Sequence, residues 1–147
     1  IYKGILALSV DGEIRSFAEH HLATEQEHLA FFEDWLSSGH KSLFLPLWRL
    51  SGFILGAVSA LGGRRWVYAS IEAVETFVVQ HYESQYPALD EYGDAVLFSA
   101  IRQFCSDEAS HRDEAGSEAS QRSAFLSAWC SLVSFGSEQA VKIARKI

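Results

Sequence analysis

The sequence is poor in the residues that break helices, staple chains or grip phosphate. Two prolines in 147 residues, with few turn clusters, leave long uninterrupted helical runs. The two cysteines, Cys105 and Cys130, are too few for a disulfide framework and lack the spacing of a zinc or redox motif. Both sit in apolar helical context, which predicts buried free thiols. Twelve basic residues against nineteen acidic ones give a net charge of −7, so no basic stripe exists to neutralise many phosphates, and a nucleic-acid partner is excluded. No strand-like alternation occurs. The first residue is Ile1 rather than Met, from which a processed or truncated piece is expected, with any targeting segment lost upstream.

What is present reads as a folded, all-α chain. Hydrophobic residues make up 48% and charged residues 21%, a balance that fits a packed core and not disorder. The length suits one domain, expected over residues 1–147. Ile1 to about Ser9 reads as the end of a helix that begins before Ile1, broken by Asp11-Gly12. A second helix is expected from about Glu13 to Ser38, stopped by Gly39. Its inward stripe is Ile14, Ala18, His21, Glu25, His28, Phe32 and Trp35. A third, apolar segment follows Pro46 and ends at Gly62-Gly63. The fourth covers about Arg64 to Gln85, with Tyr68, Ile71, Glu75, Val78 and Tyr82 on one face. Pro87 and "LDEYGD" read as a turn into a fifth helix with the stripe Leu97, Ile101, Phe104, Glu108, His111 and Ala115. "GSEASQ" marks a further turn, and a last helix runs from about Ser123.

The chemistry sits where those stripes should be apolar. "ATEQEHLAFF" places Glu25 and His28, and "SDEASHRDE" places Glu108 and His111, three residues apart on inward faces. Glu75 falls on the inward face of the helix between them. Burying unpaired carboxylates costs several kcal/mol each, more than a domain of this size absorbs repeatedly. Shared metal cations offset that cost. Ferritin-like di-iron bundles take one Glu from each of two helices and a Glu-x-x-His pair from each of two others, and carboxylates with imidazoles suit iron. The expectation is therefore a ferritin-like four-helix bundle with Glu25, His28, Glu75, Glu108 and His111 as metal ligands. Three carboxylates carry three negative charges against the four positive charges of two ferrous ions. A fourth Glu is accordingly expected on the part of the first helix preceding Ile1.

At this point the chain resembles the demethoxyubiquinone hydroxylase (demethoxyubiquinone monooxygenase) family of ubiquinone biosynthesis over nearly its whole length. The residues that carry the resemblance are "IYKG" (1–4), "EQEHL" (25–29), "LPLWRLSGFILGAVSALGG" (45–63), "AVE" (73–75), "HY" (81–82) and "DEASHRD" (107–113). The resemblance implies the same five iron ligands, a sixth ligand that is a Glu shortly before the Ile1-Tyr2 pair, and hydroxylation of the benzoquinone ring of a long-tailed ubiquinone precursor. It implies dioxygen as co-substrate and electrons from NADH, directly or indirectly. It also implies a lipid-binding partner protein or larger membrane complex. The implied location is the matrix side of the mitochondrial inner membrane, or the cytoplasmic side of a bacterial plasma membrane. Thr76 departs from a second Glu often found there, at a position that is not a ligand.

Other residues carry two readings each. Tyr82 lies two turns from Glu75 and reads as a group near substrate or the electron path, or as a packed core tyrosine. His81 points off the ligand face; the resemblance makes it a substrate-side candidate. Asp107 and Asp113 flank the second pair as possible acceptors for ligating imidazoles, or as solvated carboxylates. His20, His21 and His40 lack partner spacing and read as structural.

The segment 45–63 is the apolar outlier. Arg49 and Pro46 shorten its clean run below the roughly 20 residues a bilayer span needs. A buried core helix and an interfacial helix are the two remaining readings; Trp48 and Trp66 at its ends, with Arg49, Arg64 and Arg65, suit an interfacial helix lying on a membrane. Gly52, Gly56, Ala57 and Ser59 would allow close helix packing. Two further function classes remain beside the hydroxylase: iron storage or ferroxidase, and a non-catalytic ferritin-like subunit of a membrane complex.

Overall fold

The computed structural model describes residues 1–36, 44–119 and 122–145. Among them every regular element is α-helical: α1 (Tyr2–Leu8), α2 (Gly12–Trp35), α3 (Leu45–Leu61), α4 (Arg64–Glu83), α5 (Tyr86–Tyr92), α6 (Ala95–Glu118) and α7 (Ala124–Ala144). The chain forms two compact units. One is Ile1–Val67 with the residues from Ile143, and the other is Tyr68–Lys142.

In the first unit, α1 lies against both α2 and α3. Its approach to α3 is backbone on backbone. A Cβ on Gly4 would stand 2.0 Å from the Phe53 carbonyl oxygen, and one on Gly56 would stand 2.0 Å from that of Ile1. Only glycine permits this contact. The small stripe Gly52, Gly56 and Ser59 therefore faces inward, and Ser59 Oγ satisfies the Leu55 carbonyl of its own helix at 2.8 Å. The opposite face of α3 carries Leu47, Leu50, Ile54, Val58 and Leu61, all exposed.

The joint between α1 and α2 is held by side chains. Asp11 caps α2, accepting from the Glu13 and Ile14 amides. Arg64, at the start of α4, pairs with Asp11 and Glu13. The Arg15 guanidinium donates to the carbonyls of Leu6, at 2.7 Å, and Ser9, closing the open end of α1. Tyr2, Phe17 and His21 pack as an aromatic cluster, His21 4.2 Å from Phe17 and stacked on Tyr2 at 5.7 Å between ring centres. His21 is thus a core residue, as the sequence suggests, while His20 is exposed. Trp35, expected on the inward stripe, is 41% exposed, because it is the last residue of α2 and the backbone turns extended at Leu36. The expected stop at Gly39, and His40, lie outside the described residues.

In the second unit, α6 and α7 both clasp α4. Cys105 Sγ donates to the Val79 carbonyl at 3.8 Å, and Cys130 Sγ to that of Ala69 at 3.4 Å. Both cysteines are free and buried, as expected. Trp129 Nε1 donates to Ser70 Oγ at 2.7 Å, and Arg122 pairs with Glu72. The stretch read as a turn at Pro87 is instead the short helix α5. Proline occupies its first turn, where no amide partner is needed, and Gly93 at φ 78° ends it. Asp94 then caps α6, accepting from the Leu97 amide at 2.9 Å. The expected α6 stripe, Leu97, Ile101, Phe104, Glu108, His111 and Ala115, is buried throughout. In α4, Tyr68, Ile71 and Glu75 are buried, with Val78 and Tyr82 half-buried.

Candidate metal centre

The second unit brings two carboxylates and an imidazole together. Glu75 comes from α4, and Glu108 and His111 come from successive turns of α6. Each offers a ligand atom within 4.8 Å of the others. Their exposures are 2%, 2% and 5%, so these groups have left water. His111 Nδ1 lies 3.1 Å from Glu108 Oε2, the approach that i,i+3 spacing on one helix face allows.

Such a cluster is unfavourable by itself. Two carboxylates in a low-dielectric site repel each other, and a single imidazole offsets one of them at most. A multivalent cation removes the conflict, and oxygen and nitrogen donors of this kind suit iron or a similar first-row metal. The donor set, its burial and its convergence therefore fit the metal that the sequence pattern implies.

The other expected ligands lie on α2, in the first unit. His28 is buried at 5% and Glu25 is half-buried, with the same i,i+3 spacing as Glu108 and His111. His81 and Tyr82, in the last turn of α4, are both half-buried. The His81 ring runs parallel to that of Phe77, 5.8 Å between centres. Asp107 accepts from Gln103 Nε2 at 2.9 Å, and the exposed Asp113 pairs with Arg112, contacts that suit solvated helix-face carboxylates. Sequence reasoning passed over Tyr86, which opens α5 and packs edge-on against Phe98, 5.8 Å between ring centres. Burial first, and then the Cys105 thiol, pushes the Tyr86 phenol up to about 12. Their separation of nineteen residues across a misread turn left no local signal to find.

Among the described residues no helix is long and apolar enough to cross a membrane. Residues 45–61 of the apolar segment form α3, with Leu47, Leu50, Ile54, Val58 and Leu61 exposed.

Comparison with known proteins agrees with the resemblance read from the motifs. The profile of the family described as ubiquinone biosynthesis protein COQ7 matches residues 1–144. The 3-demethoxyubiquinol 3-hydroxylase of Rhodospirillum rubrum is 35% identical over 116 residues, 77% of this chain and 54% of that protein. The mitochondrial NADPH-dependent 3-demethoxyubiquinone 3-hydroxylase of Dictyostelium discoideum is 28% identical over 151 residues, covering 100% of this chain and 70% of the relative. The mouse protein of the same description is 29% identical over 120 residues, 77% of this chain and 54% of its own length. The chain thus spans about half the length of several curated relatives it matches. Matched along nearly all of its residues, this chain belongs to the COQ7 family of ubiquinone biosynthesis proteins.

Proposed function

We propose that the protein is a di-iron monooxygenase that hydroxylates the benzoquinone ring of a demethoxyubiquinone-type lipid. The observation that carries this reading is the buried convergence of Glu75, Glu108 and His111. In this reading Glu25 and His28 of α2 complete the ligand set. Iron held there would supply the binding and reduction of dioxygen next to the ring. The protein's own residues do the rest. The carboxylates neutralise the cations, and the i,i+3 spacing fixes each Glu and His on one face. The apolar stripe of α6, from Leu97 to Ala115, keeps bulk water away from the reacting ring. In balance, a ring C–H and one dioxygen with two electrons and two protons give a ring C–OH and one water.

The electron source in this reading is a reduced nicotinamide, acting directly or through a carrier. The names of the Dictyostelium discoideum and mouse relatives specify NADPH, where the resemblance alone implied NADH. Tyr82 and His81 are proposed to line the approach of substrate or electrons.

The exposed face of α3 supports peripheral membrane contact. Five large aliphatic side chains on one helix face, beside Arg49 and Arg65, suit an in-plane helix at a lipid surface. A polyprenyl-tailed quinone is held in such a surface, so the same face would bring the enzyme to its substrate. It also favours the hydroxylase over soluble iron storage. The membrane concerned would be the mitochondrial inner membrane on its matrix side or a bacterial plasma membrane on its cytoplasmic side, with a lipid-binding protein or membrane complex as partner.

Turnover tests the reading. Iron-loaded protein supplied with a demethoxyquinone, reduced nicotinamide and an electron-transfer partner is expected to consume dioxygen and release hydroxylated quinone in equal amounts. Dioxygen uptake without ring hydroxylation would point to a ferroxidase, and neither event to a structural subunit.

A further inference from the structure

The turn between α1 and α2 is fixed by polar contacts, yet it presents an aliphatic side chain to solvent. Val10 is 97% exposed. On either side of it, the Asp11 amide donates to Ser9 Oγ at 3.3 Å, and Arg15 Nη1 donates to the Ser9 carbonyl at 3.2 Å. Asp11 caps α2 and accepts from Arg64 Nη2 at 3.0 Å. These contacts hold Ser9 and Asp11 and leave the valine between them in water. Two further apolar side chains stand at the same end of the unit. Leu61, the last residue of α3, is 76% exposed, and Leu8, the last of α1, is 47% exposed. The two helices run parallel, since Ile1 meets Gly52 and Gly56 while Gly4 meets Phe53 and Ala57. One turn further along both, Leu8 comes beside Leu61.

The charge around this tip is of one sign. Between Asp34 and Glu72 the sequence holds no acidic residue, and its basic residues there are Lys41, Arg49, Arg64 and Arg65. The chain as a whole has the opposite balance, 19 acidic residues against 12 basic ones. The carboxylates at this end, Asp11 and Glu13, are paired with Arg64. Arg65 is exposed and has no ion pair among the described residues. A cation beside exposed aliphatic side chains complements a lipid surface, where acyl chains lie beneath anionic phosphates. We infer that Leu8, Val10 and Leu61 form a second membrane anchor, a tip that enters the acyl region while Arg65 pairs with a lipid phosphate. The inference rests on the membrane contact proposed for α3 and carries it past the helix end to the α1–α2 turn. Because the turn is ordered before contact, no loss of chain freedom opposes entry of the valine. The tip also gives α3 a direction at the membrane, its C-terminal end lying deeper.

Flotation with vesicles of phosphatidylcholine, alone or mixed with phosphatidylglycerol, tests the anchor. Val10→Ser should weaken binding to both kinds about tenfold, the effect of taking one valine out of an apolar phase. Val10→Phe should strengthen it, and circular dichroism checks that both variants keep their helices. Arg65→Gln should weaken binding to the anionic vesicles roughly fivefold and leave the neutral ones unchanged. A nitroxide on Val10→Cys reads depth, because the native cysteines are buried and escape labelling. On vesicles it should become more accessible to dioxygen and less to a water-soluble nickel chelate. A label on Leu61→Cys should read deeper than one on Leu47→Cys. Unchanged binding in Val10→Ser and Val10→Phe, with binding lost in Leu50→Asp, would overturn the tip and leave the α3 contact standing. A label at residue 10 that stays in water, or is shielded from both reagents as under a protein partner, would overturn it too. Unchanged anionic binding in Arg65→Gln would overturn the phosphate pairing. Binding that survives Leu50→Asp as well as Val10→Ser would overturn the membrane reading of α3 together with the tip.

Discussion

His111 Nδ1 lies 3.1 Å from Glu108 Oε2, one turn apart on α6, with both side chains withdrawn from solvent. Glu75 closes on the same point from α4. A histidine can balance one of two buried carboxylates and not both, so the metal-free site should oppose folding. Glu75→Gln keeps the shape and removes one charge. It is expected to stabilise the metal-free protein by about 1–4 kcal/mol, while abolishing the rise in Tm that added iron gives the wild type. Thermal unfolding with and without iron checks both signs. A metal-free variant less stable than wild type would mean that Glu75 serves packing.

The glycine contact between α1 and α3 has a matched control. Gly56→Ala puts a methyl group 2.0 Å from the Ile1 carbonyl oxygen, and the overpacking should cost about 1–3 kcal/mol. Gly136→Ala on α7 meets nothing within 4 Å and should stabilise by about 0.5–1 kcal/mol through helix propensity. Urea unfolding of the two variants is expected to shift in opposite directions.

Asp11 is held below the ordinary carboxylate value, chiefly by its hydrogen bond from Arg64. A depressed folded-state value means stability that is present above the unfolded value of about 3.9 and lost as pH falls through the folded one. Arg64→Ala should therefore flatten the fall of Tm with pH on the acid side and change little in its slope near neutrality. An unchanged acid limb would show that the pairing does not perturb Asp11.

The α3 face predicts which substitutions matter at a lipid surface. Leu50 and Ile54 are 55% and 51% exposed, so Leu50→Asp or Ile54→Asp should leave folding and iron content unchanged and weaken liposome binding by on the order of a few kcal/mol. Because apolar contact drives the attachment, moderate salt should not release the wild type from neutral vesicles. Release by salt alone would assign the binding to charge.

Much of this was legible in the chain because helical spacing is a strong signal. The six-residue stripe of α6 could be read off by steps of three and four, and its two polar members are buried beside Glu75 as a candidate site. Glu25 and His28 are expected from the same spacing on α2, and their part in the site is a proposal. The places that misled were helix ends. Pro87 starts α5 rather than forbidding it, since a first-turn proline lacks only an amide that would have had no partner. Trp35 fits the α2 periodicity and yet faces solvent, because the helix stops at it. The hydrogen bond of Cys105 to the Val79 carbonyl, and the pairing of Arg122 with Glu72, depend on how distant segments pack, which periodicity does not encode.

Iron content and state, measured together on the reconstituted protein, test the central claim most directly. Metal analysis with Mössbauer spectroscopy is expected to find two ferric ions per chain in a spin-coupled, diamagnetic pair after exposure to dioxygen, and loss of that pair in Glu108→Ala with helicity retained. Unchanged iron in Glu108→Ala, or only isolated paramagnetic ferric ions in the wild type, would contradict a di-iron centre built on Glu75, Glu108 and His111.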